Sequence, residues 1–376
     1  MNESRAARYQ RLRRRAEAVS AVAGALLLIM CVVTPAGESL ASWARHTAAG
    51  VPAPIHGIAE VALFVAALAL AFEAVALPAV VYLSASLDRR FKRSDHDFSG
   101  VVSAQLHAAA FGVLAAVIVG VVVHLAARET GGWWWLTTGV TLSAILAAAV
   151  RGVSTLIARS GGANALNDAA LSARLTSISE SAGVPVAGIF EWRASEESGH
   201  SASVTGFGRG RRVLIAPEVL SEWTEDEIAV VVAHELSHHK HHDLIQTLVV
   251  DALLMSTALA IADLILRLVG VPADALPALP IIALGASAVW IAVTPARHAL
   301  SRWQERRADQ FALAVTGEAD AFATAVRRVG ERNLIEDRPD TLTRWFFHRH
   351  PTIEERLAMA GAMAAAPQPV VEIRRS

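Results

Sequence analysis

The sequence contains one cysteine in 376 residues and few charged side chains. Cys31 lies within an apolar run, so an intramolecular disulfide and a thiolate metal cluster are both excluded. The 34 basic residues nearly balance the 35 acidic ones, and the formal net charge of -1 gives no basic excess for nucleic acid. Any metal must therefore be held by histidine, aspartate or glutamate, and we expect no nucleic acid partner.

Charged residues make up 18% of the chain and hydrophobic residues 53%, a composition typical of membrane proteins. A helix of about 20 apolar residues crosses a hydrocarbon core of about 30 Å. Six segments of this kind are predicted to cross the membrane as helices, with membrane lipids as partners: 17–36, 57–83, 106–126, 133–157, 244–269 and 279–299. For the last two, a helical hairpin buried in a soluble domain is the alternative. For the first, the alternative is a signal peptide cleaved after Ala36.

The distribution of basic residues predicts the orientation in the membrane, because cytoplasmic loops carry an excess of Lys and Arg. The excess lies before the first segment and between the second and third, at Arg5, Arg8, Arg11, Arg13, Arg14, Arg15, Arg89, Arg90, Lys92 and Arg93. The opposite loops contain only Arg45 and Arg128. The N-terminus is therefore predicted to be cytoplasmic, and an even number of crossings returns residues 158–243 and 300–376 to that side.

A predicted helix after Thr224 carries the clearest chemical pattern. Thr224 and Glu227 match a capping box, which marks a helix start. His234, Glu235 and His238 then form the pattern H-E-x-x-H, which brings both imidazoles to one helix face within reach of a single metal. Zinc accepts such a pair, and Glu235 would stand beside the open coordination position as a base.

The alternative for this pattern is a solvated helix face. Three further histidines follow it, and we interpret them as surface or interfacial residues: His239, His241 and His242. A catalytic zinc normally has three protein ligands, so a third ligand decides between the two interpretations.

The candidate third ligand is Glu305, which shares a helical face with Asp309 four residues later. Glu305 would complete a His-His-Glu set, and Asp309 could accept the outer N–H of a ligand histidine. In the alternative, Glu305 pairs with Arg302 or Arg306 on a surface helix. A hairpin formed by residues 244–269 and 279–299 would bring Glu305 back to the two histidines.

Near the C-terminus, His350 and Pro351 precede a second capping-box pattern, which begins at Thr352. His350 and Arg356 are candidates for stabilising a developing oxyanion, because hydrolysis of a peptide bond builds negative charge on the carbonyl oxygen.

The motifs together resemble the type I CAAX prenyl endopeptidase family of membrane gluzincins. The resemblance rests on the run from Ala233 to His238, on Glu305 to Asp309, on His350-Pro351 and on Arg356. It extends to Leu77-Pro78 and to Asp88-Arg89-Arg90-Phe91. Related heat-shock-associated membrane metallopeptidases usually have two helices before the motif, whereas four are predicted in this chain.

The resemblance implies one zinc ion per chain, held by His234, His238 and Glu305, with Glu235 as general base and Asp309 behind a ligand. In the family, an Asn-Ala pair on the strand before the metal helix aligns the substrate backbone by edge-strand pairing. Ser201-Ala202 occupies that place in this sequence.

The predicted fold is mainly α: a polytopic transmembrane bundle of about six helices with a small cytoplasmic α+β domain of the zincin type. Strand-like runs at 189–192, 202–207 and 212–215 predict its sheet. Four parts follow along the chain: 1–157, a membrane region with four helices; 158–243, the sheet and the H-E-x-x-H helix; 244–299, a transmembrane hairpin; and 300–376, the third ligand and the C-terminal helices.

We predict a zinc-dependent endopeptidase of the cell membrane that cleaves peptide or protein substrates on the cytoplasmic side, including CAAX-type and lipidated ones. A heat-shock-type quality-control metallopeptidase is one alternative. A membrane protein that binds metal without catalysis is the other, and it predicts metal binding without peptide turnover. Glu235 argues against that last alternative, because a storage or transport site needs no base.

Overall fold

The structure is a computed structural model that describes residues 4–91, 98–159, 163–192 and 201–365. Lys92 and Arg93 of the predicted basic loop lie outside the described residues. The N-terminal helices are α1 (Arg5–Val33), α2 (Ala36–Ala48), α3 (His56–Val81), α4 (Phe98–Thr130) and α5 (Trp134–Arg159). The later helices are α6 (Ala169–Ser181), α7 (Pro217–Glu222), α8 (Glu225–Lys240), α9 (Asp243–Val269), α10 (Ala278–Thr316), α11 (Ala319–Arg332), α12 (Thr341–Phe347) and α13 (Ile353–Ala365). The strands are β1 (Ala163–Ala165), β2 (Gly188–Trp192), β3 (Ala202–Thr205) and β4 (Arg212–Ile215).

The chain divides into two compact units. Unit 1 contains Met1–Ala7, Val150–Gln246 and Pro295–Ser376, and unit 2 contains Arg8–Ala149 and Thr247–Thr294. The boundaries of the four predicted parts of the chain stay a prediction.

Five helical stretches within the described ranges are long and apolar enough to cross a membrane: Arg5–Val33, Ala53–Asp88, Ser99–Val153, Asp243–Val269 and Ala278–Thr316. The stretch Ser99–Val153 includes most of α4 and α5, which are joined by a 3-10 turn at Gly131–Trp133. Each of the six predicted segments therefore overlaps one long helix. The predicted helical, multi-pass membrane bundle with a small α+β part is confirmed.

Helix α2 was not predicted, and the first predicted segment ends at residue 36, three residues beyond the end of α1. The first helix ends at Val33, and α2 begins just after Pro35. Thirteen residues at 1.5 Å per residue give about 20 Å, which is too short to cross the hydrocarbon core. Ala41 and Ala44 are fully buried and pack with Val61 and Phe64 of α3. Small side chains thus let α2 pack closely against α3 within unit 2.

The small sheet of unit 1 has the strand order β1-β2-β4-β3. Strands β2 and β4 are parallel, whereas β1 and β3 are antiparallel to their neighbours. Strand β3 therefore lies at an edge of the sheet. Three strands lie where the sequence predicts them, and the three-residue β1 was not predicted. The sheet packs through Val213 and Ile215 onto Leu175 of α6 and Leu236 of α8, and all four side chains are fully buried.

Helix α8 is buried on two faces, and its remaining face carries the H-E-x-x-H pattern. Ile228, Val232 and Leu236 pack in the cluster under the sheet. Val230 and Ala233 pack in a second cluster with residues of α10, α11 and α13. Since two faces of the helix are fixed by apolar burial, the direction of His234 and His238 is fixed as well.

The start of α8 has the predicted capping box. The Glu227 backbone N–H donates to Thr224 Oγ1 at 3.2 Å, and the Thr224 N–H donates to Glu227 Oε2 at 2.8 Å. Glu227 is almost fully buried and also contacts Arg328 Nε at 3.2 Å. The cap thus sets where the metal helix begins.

Replacing Thr224 by alanine is expected to lower the free energy of unfolding by about 1 kcal/mol, because the N–H of Glu227 loses its acceptor. Denaturant unfolding of the detergent-purified protein measures the change. Thr224→Ser keeps the hydroxyl and is expected to unfold like wild type. Equal losses in both variants would mean that the methyl group, and not the cap, carries the effect.

Candidate metal centre

Three predicted ligands meet at one point in unit 1. His234 and His238 project from α8 and Glu305 from α10, and one ligand atom of each lies within 4.8 Å of the other two. Nε2 of His234 is 3.3 Å from Nε2 of His238 and 3.3 Å from Glu305 Oε2, while His238 Nε2 is 3.9 Å from Glu305 Oε1. Ligands about 2.0 to 2.1 Å from one tetrahedral zinc lie about 3.3 Å apart. The donor set and its spacing therefore fit a zinc ion.

Asp309 holds the outer nitrogen of His234. Its Oδ1 lies 2.9 Å from His234 Nδ1, and its side chain is fully buried. Arg356 donates two hydrogen bonds to the same carboxylate, from Nε at 2.8 Å and from Nη2 at 2.6 Å. A carboxylate at Nδ1 keeps a proton there, so Nε2 is left with its lone pair toward the metal position.

Asp243, which was not predicted as a site residue, contacts His238 in the same way. Its Oδ2 lies 2.8 Å from His238 Nδ1, and the residue is 5% exposed. The guanidinium of Arg307 pairs with Asp243. Each of the two predicted ligand histidines therefore contacts a buried aspartate, and each aspartate is paired with an arginine.

The turn between α8 and α9 explains why Asp243 was missed. His242 has a φ of +56°, in the left-handed region that few residues other than glycine adopt. This reversal brings the first residue of α9 back against the last turn of α8. A carboxylate five positions after the second histidine was the only signal in the sequence.

The buried carboxylates favour a cation at this point. Burial alone lowers the pKa of His234, but Asp309 and Glu305 beside it outweigh burial and raise its pKa to about 10. The same negative charges favour a divalent metal ion between the three ligands.

A cavity of about 370 Å³ adjoins the metal ligands. Glu235 lines it beside His234 and Glu305. The other predicted site residues on its wall are Ser201, Ala202, His350 and Arg356. Apolar residues complete the wall, including Val230, Val231, Phe322 and Val326. The structure thus brings the predicted base, the predicted substrate strand and two of the predicted metal ligands, His234 and Glu305, to one cavity.

The two candidate oxyanion residues differ in their contacts. His350 is exposed and its Nδ1 lies 3.0 Å from Glu305 Oε2. Arg356 uses Nε and Nη2 to hold Asp309. The predicted capping box is present, since the N–H of Glu355 donates to Thr352 Oγ1 at 3.2 Å and the N–H of Thr352 donates to Glu355 Oε2 at 3.0 Å. This cap sets the start of α13 and so the position of Arg356, whereas a role at the oxyanion stays a prediction.

His239 is interfacial, as one of the two sequence interpretations had it. Its Nε2 lies 2.9 Å from the carbonyl oxygen of Val204 in β3, and Arg211 Nε donates to its Nδ1 at 3.3 Å. Burial lowers the pKa of His239, which favours the neutral ring that these two contacts require. This histidine fastens the edge strand to the metal helix.

Comparisons with known proteins identify matching family profiles and a solved structure of similar fold. The profile of peptidase family M48 matches residues 165–364, and the profile of the CAAX prenyl protease N-terminal region, described as five membrane helices, matches residues 2–159. The solved structure of S. mikatae Ste24p is similar with a TM-score of 0.75, 19% identity and coverage of 94% of this chain and 88% of that chain. At this identity the likeness establishes the fold alone.

Two curated relatives match over part of their length. The uncharacterized metalloprotease YhfN of Bacillus subtilis is 28% identical over 216 residues, which cover 54% of this chain and 50% of YhfN. A protease HtpX homolog of Methylibium petroleiphilum is 28% identical over 171 residues, which cover 40% of this chain and 59% of the relative. The chain thus spans about half of the length of the curated relatives it matches.

Neutralising either aspartate should weaken metal binding. Asp243→Asn and Asp309→Asn are each expected to reduce zinc affinity by about 10- to 100-fold, because the amide can accept the imidazole N–H but supplies no charge to polarise it. Competition with a chelating dye measures the affinity. Asp226→Asn is the matched control, since Asp226 lies on α8 but pairs with Arg174. An unchanged zinc affinity of the Asp243→Asn protein would show that Asp243 does not support metal binding.

Proposed function

The chain belongs to peptidase family M48, and we propose that it is a zinc-dependent endopeptidase of the membrane. The observation that carries the proposal is the convergence of His234, His238 and Glu305 beside a cavity that His234, Glu305 and Glu235 line. A site for metal storage or transport needs the three ligands but has no use for a carboxylate base beside them. Hydrolysis of a peptide bond needs both the metal ligands and the base.

The residues of the site then have separate roles. A zinc ion held by His234, His238 and Glu305 would polarise the scissile carbonyl and lower the pKa of water to about 7. The Glu235 carboxylate takes the proton of the attacking water and passes it to the leaving amine. His350 and Arg356 lie on the cavity wall, where a positive charge or a hydrogen bond stabilises the developing oxyanion.

Edge strand β3 is the proposed binding site for the substrate backbone. The Ser201 carbonyl accepts the N–H of Ala216 at 3.1 Å, and Ala202 pairs in register with Ile215. Since hydrogen-bonding groups alternate along an antiparallel strand, the N–H and C=O of Ala202 point away from β4. Ala202 lines the cavity, so an extended peptide could pair with it there.

The distribution of arginines supports a cytoplasmic active site, and the substrate is a peptide or protein. The match to a CAAX prenyl protease N-terminal profile supports C-terminal processing of CAAX-type, lipidated peptides. The match to a protease HtpX homolog supports the alternative of membrane quality control. Matched peptides with and without a prenyl group distinguish the two, since only the first function requires the lipid.

Glu235→Gln is expected to retain about one zinc per chain and to lose at least a hundredfold in peptide hydrolysis, because the amide cannot accept the proton. Zinc content and cleavage of a quenched peptide library, with and without prenyl groups, are measured on detergent-purified protein. Glu225→Gln is the matched control, because it alters an exposed carboxylate at the start of the same helix.

Turnover by the Glu235→Gln protein at the wild-type rate would refute this mechanism. Zinc binding without cleavage of any peptide by wild type would favour the metal-binding protein without catalytic activity. Absence of zinc from wild type would refute the ligand assignment.

Ala202→Pro tests the edge-strand proposal. Proline removes the N–H that points away from β4 but no bond to β4, so the KM for peptides is expected to rise about three- to tenfold, with zinc content unchanged. Ala165→Pro is the matched control: the N–H of Leu166 donates to the Ile189 carbonyl, so Ala165 points outward on the opposite edge strand β1. An equal rise of KM in both variants would contradict pairing of the substrate at Ala202.

A further inference from the structure

Helix α12 exposes large apolar side chains that no function has yet explained. Leu342 is 68% exposed, Trp345 51% and Phe347 53%. Three such residues on a seven-residue helix are costly in water. Tryptophan and phenylalanine are instead favoured at the boundary between a bilayer and water.

The backbone of α12 is tied to α10 where the predicted spanning segment 279–299 ends. His298 Nδ1 lies 3.2 Å from the Trp345 carbonyl oxygen. Arg302 Nη1 donates to the carbonyl oxygens of Arg344 at 3.2 Å and of His348 at 2.7 Å. Because His298 lies at the end of that segment, the attachment places α12 at the depth where α10 leaves the hydrocarbon core.

The same contacts provide protein partners, in place of water, for carbonyl groups at the C-terminal end of α12. The last carbonyl groups of a helix have no partner within the helix, and outside water they must find one elsewhere. His298 and Arg302 are both 7% exposed; they supply partners for the carbonyls of Trp345 and Arg344 in the last turn and for that of His348 just beyond it. A helix end satisfied by buried side chains can enter the water-poor headgroup region.

The positive charge on α12 and on the part of α10 to which it is attached is complementary to the phosphates of lipids. Residues 295–307 and 341–350 together contain six arginines and one acidic residue, Glu305. Glu305 is buried among the metal ligands, whereas Arg306 and Arg349 are exposed. Exposed arginines beside aromatic residues are attracted to the anionic lipids of a cytoplasmic leaflet.

We propose that Leu342, Trp345 and Phe347 of α12 insert into the headgroup region of the bilayer and that lipid is the partner of this surface. This surface is tied to α10 at His298, where the predicted spanning segment 279–299 ends. His350 follows Phe347 by three residues and contacts Glu305, so the lipid contact also anchors the segment that reaches the metal ligands.

Depth-dependent fluorescence quenching tests the proposal on the full chain without relying on activity. Cys31 is the only cysteine, so a Cys31→Ala background accepts single cysteines by Leu342→Cys and Trp345→Cys. Glu331→Cys, on an exposed position of α11, is the matched control. Each protein carries an environment-sensitive label and is placed in nanodiscs of phosphatidylcholine and phosphatidylglycerol.

We expect labels at 342 and 345 to be quenched by lipids with a nitroxide near the headgroup and to be at least threefold less accessible to aqueous iodide than the label at 331. Iodide access equal to that at 331, without quenching by lipid, would overturn the proposal. Protection from both quenchers would also overturn it, because a protein surface, such as a second copy of the chain, would then cover α12. Failure of the peptidase assays would leave this result unaffected.

Discussion

Buried negative charge at the candidate metal centre is the constraint on which the structure of unit 1 depends. Glu305, Asp309 and Asp243 are all nearly or fully removed from solvent. Burying an ionised carboxylate costs several kcal/mol unless cations and hydrogen bonds surround it. The compensating groups come from distant parts of the chain: imidazoles from α8, Arg307 from α10 and Arg356 from α13. The elements must be in place together for any of the charges to be tolerated.

This arrangement explains why the metal helix is held so firmly by apolar contacts. The separations of 3.3, 3.3 and 3.9 Å between ligand atoms leave little freedom for α8 to rotate or slide. Burial under the sheet fixes one face, and packing with α10, α11 and α13 fixes another. The capping box fixes the start of the helix. Apolar packing sets the position of the ligands, and the paired aspartates set the direction of each imidazole.

Features that depend on patterns within a short stretch of sequence could be predicted. Features that depend on contacts between distant residues could not. The long helices were predictable because a hydrocarbon core imposes a length and an apolar composition on each segment. The caps at Thr224 and Thr352 depend on residues three positions apart, so they could also be predicted from the sequence. The role of Asp243 depends on a left-handed residue, His242, and on Arg307 from a remote helix. The outward direction of Ala202 depends on strand register, and α2 is too short to give a membrane signal.

Chain connectivity limits which peptides can reach the metal centre. Helix α10 continues without a break from its apolar stretch to Glu305, and six residues beyond residue 299 correspond to about 9 Å along the axis. Helix α9 begins at Asp243, only five residues after His238. Both ligand-bearing segments therefore lie within about two helical turns of membrane-spanning stretches. If the chain is the proposed membrane endopeptidase, this short connection along the chain favours substrates whose scissile bond lies near the bilayer surface.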